Sequence, residues 1–331
     1  MKKLLLILLF ILCGCGKEEK QFNRTIFTFN TTVDITLYEG NKDDLNQIVN
    51  ILNHYSKLSD YNKHYDGYVN LYDINQNAYN EEMVISCDLF DILELSKEYY
   101  SLTNGYFNIA IGKASFMWKD IRDNENSFEI ADYDNIALEI ANTNIDDVIL
   151  DEEKQSVKFN NENLKLDLGG IIKGYALDKV YEYLNGKNYT KYLINAGASS
   201  VLIGSHYKKE KFTIGLQNPD NKNEIYQKIK AKNCGIGTSG DYQNYFIHDG
   251  VRYHHILDPK TLENPHIYRT ISVIGNNNSL LDALSTAFFC MEYDEMINLA
   301  NELKVEVIGM KYDGTVFHTE GVVVSWKRII F

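Results

Sequence analysis

Residues Asp167 to Asp178, DLGGIIKGYALD, gather a carboxylate, paired glycines and a lysine within a single turn of chain. The preceding LKL alternates as a strand does, and YALDKVYEYLNG carries apolar residues at helical spacing up to a glycine, so a strand passes into a helix here. Gly169 and Gly170 permit close backbone approach. The unpaired N–H groups and positive dipole end of a helix N-terminus suit a phosphate or diphosphate, and Lys173 adds a cation. The structural alternative is an ordinary Gly-Gly turn.

Two later stretches also carry chemistry. In CGIGTSGDYQNYFIHDGVRYHHILDPKTLENP, Asp249-Gly250 predicts a hairpin turn between two apolar-aromatic strands. Side chains alternate along a strand, so His254 and His255 face opposite sides and at most one enters a given pocket as an acid or base. His255, which shares a face with Tyr253, is the favoured one. Thr238, Ser239 and Gly240 read as a site segment or as a tight turn. In SLLDALSTAFFCM, Ser279 is a candidate N-cap, and Asp282 and Thr286 lie four apart on one helical face. Two hard oxygen ligands there suit Mg²⁺ with phosphate and water, while Ser-x-x-Asp is equally the pattern of a capping box.

The elements that must hold these groups begin with an alternating strand, IFTFNTTVDITLY, and a helix from Asp43 to Leu58. Leu58 to Asn75 reads as a long polar surface loop, and Ser86 caps a helix from Cys87 to Leu102 that stops at Asn104-Gly105. YFNIAIGKASFMW returns to the core through Ile109 and Ile111, and residues 123–144 form an acidic insertion with one short helix. Strands at 148–150, 157–159 and 164–166 form a meander, and KYLINAGASSVLIGS reads as one buried strand interrupted by Ala196 to Ser200. Short strands at 212–216 and 225–231 complete an α+β class with mixed, largely antiparallel sheets and packed helices.

With 331 residues, 44% of them hydrophobic, the chain can bury a sizeable core. Its formal net charge of −13, with no basic stripe, disfavours nucleic acid as a partner. Lys2 and Lys3 precede the apolar run Leu4 to Leu12 and then Cys13-Gly14-Cys15, a targeting segment too short to span a membrane. It resembles the bacterial lipoprotein signal, which implies cleavage of residues 1–14 and a lipidated (palmitate-type) Cys15, with 15–21 as a polar tether and 22–331 as the functional domain. The expected product is anchored in the cell membrane and faces the periplasm or cell exterior. An ordinary secretory signal is the alternative. Cys87, Cys234 and Cys290 match no disulfide or zinc pattern, and Cys87 and Cys290 read as buried thiols.

Five segments in order resemble the ApbE-type FAD:protein FMN transferases: DLGGIIKGYALD at 167–178, NAG at 195–197, TSGDY at 238–242, YHHILDP at 253–259 and DALST at 282–286. The resemblance implies an enzyme that cleaves FAD and attaches FMN to a Thr or Ser hydroxyl of an acceptor protein, releasing AMP with Mg²⁺. It implies metal ligation by the Gly170 carbonyl, Asp282 and Thr286, and FAD contacts from Asp167, Lys173 and Ile256. His255 or His254 is then the acid/base. It further implies a flavin-stacking Tyr61, a contact segment Tyr106, Phe107 and Asn108, and contacts from Phe29 and from Thr238, Ser239, Gly240 and Asp241. Phe29-Asn30-Thr31 stands where the family has Met-Gly-Thr, and Asn108 where it has Asp. Acceptors in the family include subunits of membrane redox pumps. Two alternatives are an FAD pyrophosphatase that releases free FMN and a non-catalytic flavin-binding lipoprotein.

Overall fold

The computed structural model describes residues 21–124 and 129–324. The signal segment, Cys15 and most of the tether therefore lie outside the described residues. The chain starts with the hairpin β1 (Phe22–Thr28) and β2 (Thr31–Leu37), in which Val33, Ile35 and Leu37 of β2 point inward. Helix α1 (Lys42–Leu58) follows, with a capping box between Asn41 and Asp44. Helix α2 (Leu71–Asn77) forms inside the stretch that reads as loop, because Asn70 and Asp73 cap one another and Leu71 and Ile74 are buried. Next come β3 (Met83–Val84), α3 (Cys87–Leu102), whose N-cap is Ser86, α4 (Gly112–Asp123) and α5 (Ile130–Ala137). Cys87 opens α3 and is exposed rather than buried.

Strand β4 (Val148–Asp151) pairs with β5 (Ser156–Phe159), and β5 in turn with β3; neither pairs with residues 164–166, where Lys165 bridges to Ile111. Helix α6 (Ile172–Gly186) leads to β6 (Tyr192–Ala196) and β7 (Ser200–Ile203). The expected single strand is thus a hairpin, turned at Gly197 and Ala198, both at positive φ. The remainder is β8 (Phe212–Gln217), β9 (Ile225–Ala231), β10 (Cys234–Gly240), β11 (Tyr245–His248), β12 (Val251–His254), β13 (Tyr268–Gly275), α7 (Asn278–Cys290), α8 (Tyr293–Leu303), β14 (Glu306–Lys311) and β15 (Val316–His318).

The main sheet runs β1-β2-β6-β7-β10-β13-β14-β15, and every adjacent pair is antiparallel. A large core lies between this sheet and helices that include α1, α6 and α7, with Ile35, Ile48, Leu177, Ile271 and Phe288 in it. A second cluster, including Phe212, Ile229 and Ile236, seats the β8–β9 hairpin. A third joins Trp118 of α4 to Phe246, Leu257 and Leu262 around the β11–β12 hairpin. Asp249 and Gly250 turn that hairpin with φ of 48° and 79°. Among the described residues no helix is long and apolar enough to cross a membrane.

Helices α6 and α7 meet at Gly174, where an added Cβ would sit 2.1 Å from the Asn278 carbonyl oxygen. Backbone on both sides leaves no cheap relief. Gly174→Ala is expected to lose roughly 2–3 kcal/mol of stability through overpacking. Gly186→Ala, at the open end of the same helix with nothing within 4 Å, should be neutral or gain up to about 1 kcal/mol. Urea unfolding of the two variants checks this.

Candidate active site

Asp282, on the second turn of α7, is 5% exposed. Its Oδ2 accepts from the Gly174 N–H at 2.7 Å and its Oδ1 from the Ser200 hydroxyl at 2.5 Å, so one carboxylate ties α7 to α6 and β7. It therefore does not form a capping box. The N-cap is Asn277, whose Oδ1 accepts from the Leu280 N–H, and Ser279 lies inside the first turn. Asp178 of α6 adds a second cap by accepting from the Asn278 and Ser279 N–H groups, each at 2.8 Å.

One turn beyond Asp282, the Thr286 hydroxyl donates to the Asp282 carbonyl at 3.3 Å and lies 3.4 Å from the Ser239 hydroxyl. An ideal Cβ on Gly170 would be 3.3 Å from Thr286 Oγ1 and 3.1 Å from the Phe107 ring, which brings the glycine backbone to the same spot. Gly170 and Thr286 thus meet one helical turn from Asp282, whose backbone carbonyl the Thr286 hydroxyl bonds. Each Asp282 oxygen accepts one protein bond, and burial pushes its pKa up against the opposing pull of Lys173, Ser200 and Gly174. A buried carboxylate with spare lone pairs, a hydroxyl and an adjacent backbone form a hard-oxygen donor set that fits Mg²⁺. Among the described residues there is no cluster of three or more His, Cys, Asp or Glu, so a metal here would rest on a single carboxylate.

Asp167 closes the preceding loop, accepting from the Gly169 N–H at 2.8 Å and the Ser115 hydroxyl at 2.6 Å. Lys173 Nζ donates to the Gly169 carbonyl and acts electrostatically on both Asp282 and His255. Tyr61 lies within electrostatic reach of Asp167, Lys119 and Arg122, and its ring stacks on Phe116 at 4.0 Å. Phe29, at positive φ in the β1–β2 turn, lines a cavity of about 540 Å³ that extends to Asp60, next to Tyr61 in the chain. Phe116 and Arg122 carry no sequence motif. Their signal is the helical spacing of α4, which sets Ser115, Lys119 and Arg122 along one face.

The two histidines differ in surroundings: His254 ends β12, and His255 lies just beyond it. His254 is 1% exposed, its Nε2 is 3.0 Å from the Pro265 carbonyl and its Nδ1 accepts from the Ile256 N–H at 3.3 Å. Both nitrogens are used, which fixes a neutral tautomer with the proton on Nε2. His255 is partly exposed, and its Nδ1 has no hydrogen-bond partner. Burial, then the charges of His254, Arg122 and Lys173, push His255 down to about 3, so it remains an unprotonated base at neutral pH.

Other expected contacts are engaged elsewhere. Asp241 is 1% exposed, with Arg252 Nη1 at 3.0 Å on one oxygen and Arg269 Nε at 2.6 Å on the other. It anchors the hairpin and is not a free ligand. Asn108 is held by the Thr143 carbonyl and the Ala110 N–H. Tyr106 lies under Lys260, 3.4 Å from ring centre to Nζ, and burial with Glu295 nearby pushes its phenol up to about 12. Ile256 is buried, and its N–H and carbonyl already bond to His254 and Asn264. Thr238, Ser239 and Gly240 belong to β10 and not to a tight turn. Of these, Thr238 pairs with Ser272 at 2.9 Å, Ser239 faces Ser285 and Thr286, and Gly240 packs on Tyr242.

The family model for the ApbE family matches residues 29–309. The chain belongs to that family. It is 28% identical over 276 residues to an FAD:protein FMN transferase of Klebsiella pneumoniae, covering 82% of this chain and 83% of the relative. It is 26% identical to that of Haemophilus influenzae, covering 90% and 89%. The ApbE fold is also evident in a crystal structure of the ApbE protein from Thermotoga maritima, with a TM-score of 0.79, 23% identity and coverage of 91% and 97%. The flavin transferase ApbE from Vibrio cholerae matches with a TM-score of 0.72, 19% identity and coverage of 91% and 96%.

His254 also makes a pH prediction for this ApbE domain. Its folded pKa, pushed down to about 4 mainly by burial, lies below the ordinary 6.5. The unfolded chain therefore binds the extra proton first on acidification, and this group's contribution is lost as pH falls from about 6.5 towards 4. The stability gap between wild type and His254→Gln should shrink by up to about 3 kcal/mol between pH 7 and pH 4. Urea unfolding at the two pH values measures it.

Proposed function

We propose that this protein is an Mg²⁺-dependent FAD:protein FMN transferase, which cleaves FAD at its diphosphate, releases AMP and joins FMN to a Thr or Ser hydroxyl of an acceptor protein. The observation that carries the reading is the meeting of Gly170 and Thr286 one helical turn from Asp282, beside the N-terminus of α6, with Lys173 and the unprotonated His255 facing the same place. The names borne by its relatives agree with it.

Bound there, Mg²⁺ would supply charge neutralisation on the diphosphate. The chain's own residues do the rest. The α6 N-terminus and Lys173 attract phosphate oxygens, and Ser115 holds Asp167 so that the loop keeps its shape. The neutral, partly exposed imidazole of His255 would take the proton of the acceptor hydroxyl as it attacks phosphorus, an effect typically worth about 10² to 10⁴ in rate. Tyr61 and Phe116 provide aromatic faces for the isoalloxazine. On the sequence pattern at Cys13 to Cys15, we further propose that the enzyme is lipid-anchored at Cys15 and works on exported flavoproteins at the membrane surface.

Incubation with FAD, Mg²⁺ and a candidate acceptor, followed by mass spectrometry, should show acceptor carrying covalent FMN and an equivalent of AMP. His255→Ala should lower the transfer rate by about 10² to 10⁴ at near-normal FAD affinity, whereas His254→Gln should chiefly lose stability. AMP with free FMN, whatever acceptor is supplied, would make the protein a pyrophosphatase.

A further inference from the structure

Residues 205–233, which hold the β8–β9 hairpin and the loop before it, carry seven lysines against three carboxylates in a chain whose formal net charge is −13. Register gathers the lysines. Thr213 pairs with Lys230 and Gly215 with Lys228, so both lysines leave the face opposite to buried Phe212, Ile229 and Ala231, and Lys230 Nζ donates to the Thr213 hydroxyl at 2.6 Å. Lys211 and Lys232 flank the Phe212–Ala231 pair at the open end of the hairpin and extend that face, with exposed Lys208 and Lys209 in the adjoining loop. Among the described residues none of these six lysines makes an ion pair, whereas Lys113, Lys119, Lys154 and Lys179 elsewhere do. Gathered like charges repel one another and create a local field that an anionic surface would neutralise.

The same corner is where the chain enters the domain. Strand β1 begins at Phe22, paired with Leu37, and the next residue, Tyr38, stacks on Tyr207 at 4.5 Å, with Lys208 Nζ 4.9 Å from that second ring. Cys15 and Phe22 are seven residues apart, a length of chain that spans at most about 25 Å. Val324 bridges to Ile229 of β9, and from there the sequence continues as SWKRIIF, with a tryptophan and two further cations. Tryptophan with Lys and Arg is the composition of a bilayer interface.

We propose that this lysine-rich corner is a docking surface for an anionic phospholipid bilayer. Its place at a membrane rests on the anchor proposed at Cys15, while its chemistry does not. Ammonium groups near an anionic bilayer are each worth about fivefold in partitioning. The acidic remainder of the domain is repelled, which sets the orientation. Helix α6 runs about 21 Å from Ile172 to Gly186, before β6 starts at Tyr192, the partner of Leu37. The candidate active site, at the opposite end of α6, is thereby held away from the bilayer, where an acceptor domain can reach it.

Sedimentation of the full chain with vesicles tests this by comparing neutral phosphatidylcholine with a mixture containing phosphatidylglycerol. The anionic vesicles should bind it more tightly, and less so as salt rises. Lys208→Glu/Lys230→Glu/Lys232→Glu, altered only at exposed positions, should bind them at least about tenfold more weakly. Lys63→Glu/Lys158→Glu/Lys304→Glu, which has the same net charge, should not. The N-terminal segment is common to all three proteins and cancels. Lysine acetylation read by mass spectrometry gives a second arm on wild type alone, in which anionic vesicles should shield Lys208, Lys209, Lys230 and Lys232 but not Lys63 or Lys158. Equal binding of the two triple variants, or no selective shielding, would overturn the proposal; that is the outcome if the lysines merely solvate the hairpin or receive an acidic protein. Neither arm requires lipid on Cys15, so the intact mass of protein isolated from cells tests the anchor separately.

Discussion

The Asp282 carboxylate is the constraint on which the rest of the structure depends. It belongs to α7, accepts from the first turn of α6 through Gly174 N–H and from β7 through Ser200, and is withdrawn from water. Burying a carboxylate without a paired cation carries a penalty of several kcal/mol, only partly offset by two hydrogen bonds and the nearby Lys173. The geometry it enforces is correspondingly tight. Helix α6 approaches α7 at Gly174, Asp178 reaches across to cap α7, and the loop before α6 brings Gly170 beside Thr286. The two bonds accepted by this one side chain thus fix where α6, β7 and α7 meet.

The histidine proposed as the base is positioned by a different device. The β11–β12 hairpin is too small to hold its own shape, so it rests on the cluster around Trp118, whose indole N–H donates to the His254 carbonyl at 2.6 Å. Asn264 donates to the carbonyls of His254 and Ile256, and Asp241 locks the hairpin to β13 through Arg252 and Arg269. His254 gives both of its nitrogens to this scaffold. Its neighbour His255 keeps a buried Nδ1 without a partner, in surroundings that hold the ring unprotonated.

Much of this was legible in the sequence, for identifiable reasons. The cap at Ser86, the Asp249-Gly250 turn and the Asp282/Thr286 spacing are local signals, and local chemistry decided them. The sequence also separates His254 from His255, which end β12 and begin the segment after it. Local pattern is insufficient where a distant partner decides. Spacing alone leaves Asp282 as either a metal ligand or a cap residue, and the bonds from Gly174 and Ser200 remove the cap; Asp241, expected among the FAD contacts, is held by two arginines. NAGASS reads as an interruption of one strand, but positive φ at Gly197 and Ala198 makes it a hairpin turn. Phe116 and Arg122 have no motif, since their place at the site comes from the packing of α4.

The most direct test of this account is the melting temperature of wild type and Asp282→Asn, each with and without Mg²⁺ and FAD. The amide is nearly isosteric and removes the buried charge, so without ligands the variant should melt at or above wild type, and with both added only wild type should rise. A variant that melts far below wild type alone, yet gains as much from Mg²⁺ and FAD, would contradict the proposal that this buried carboxylate holds the metal.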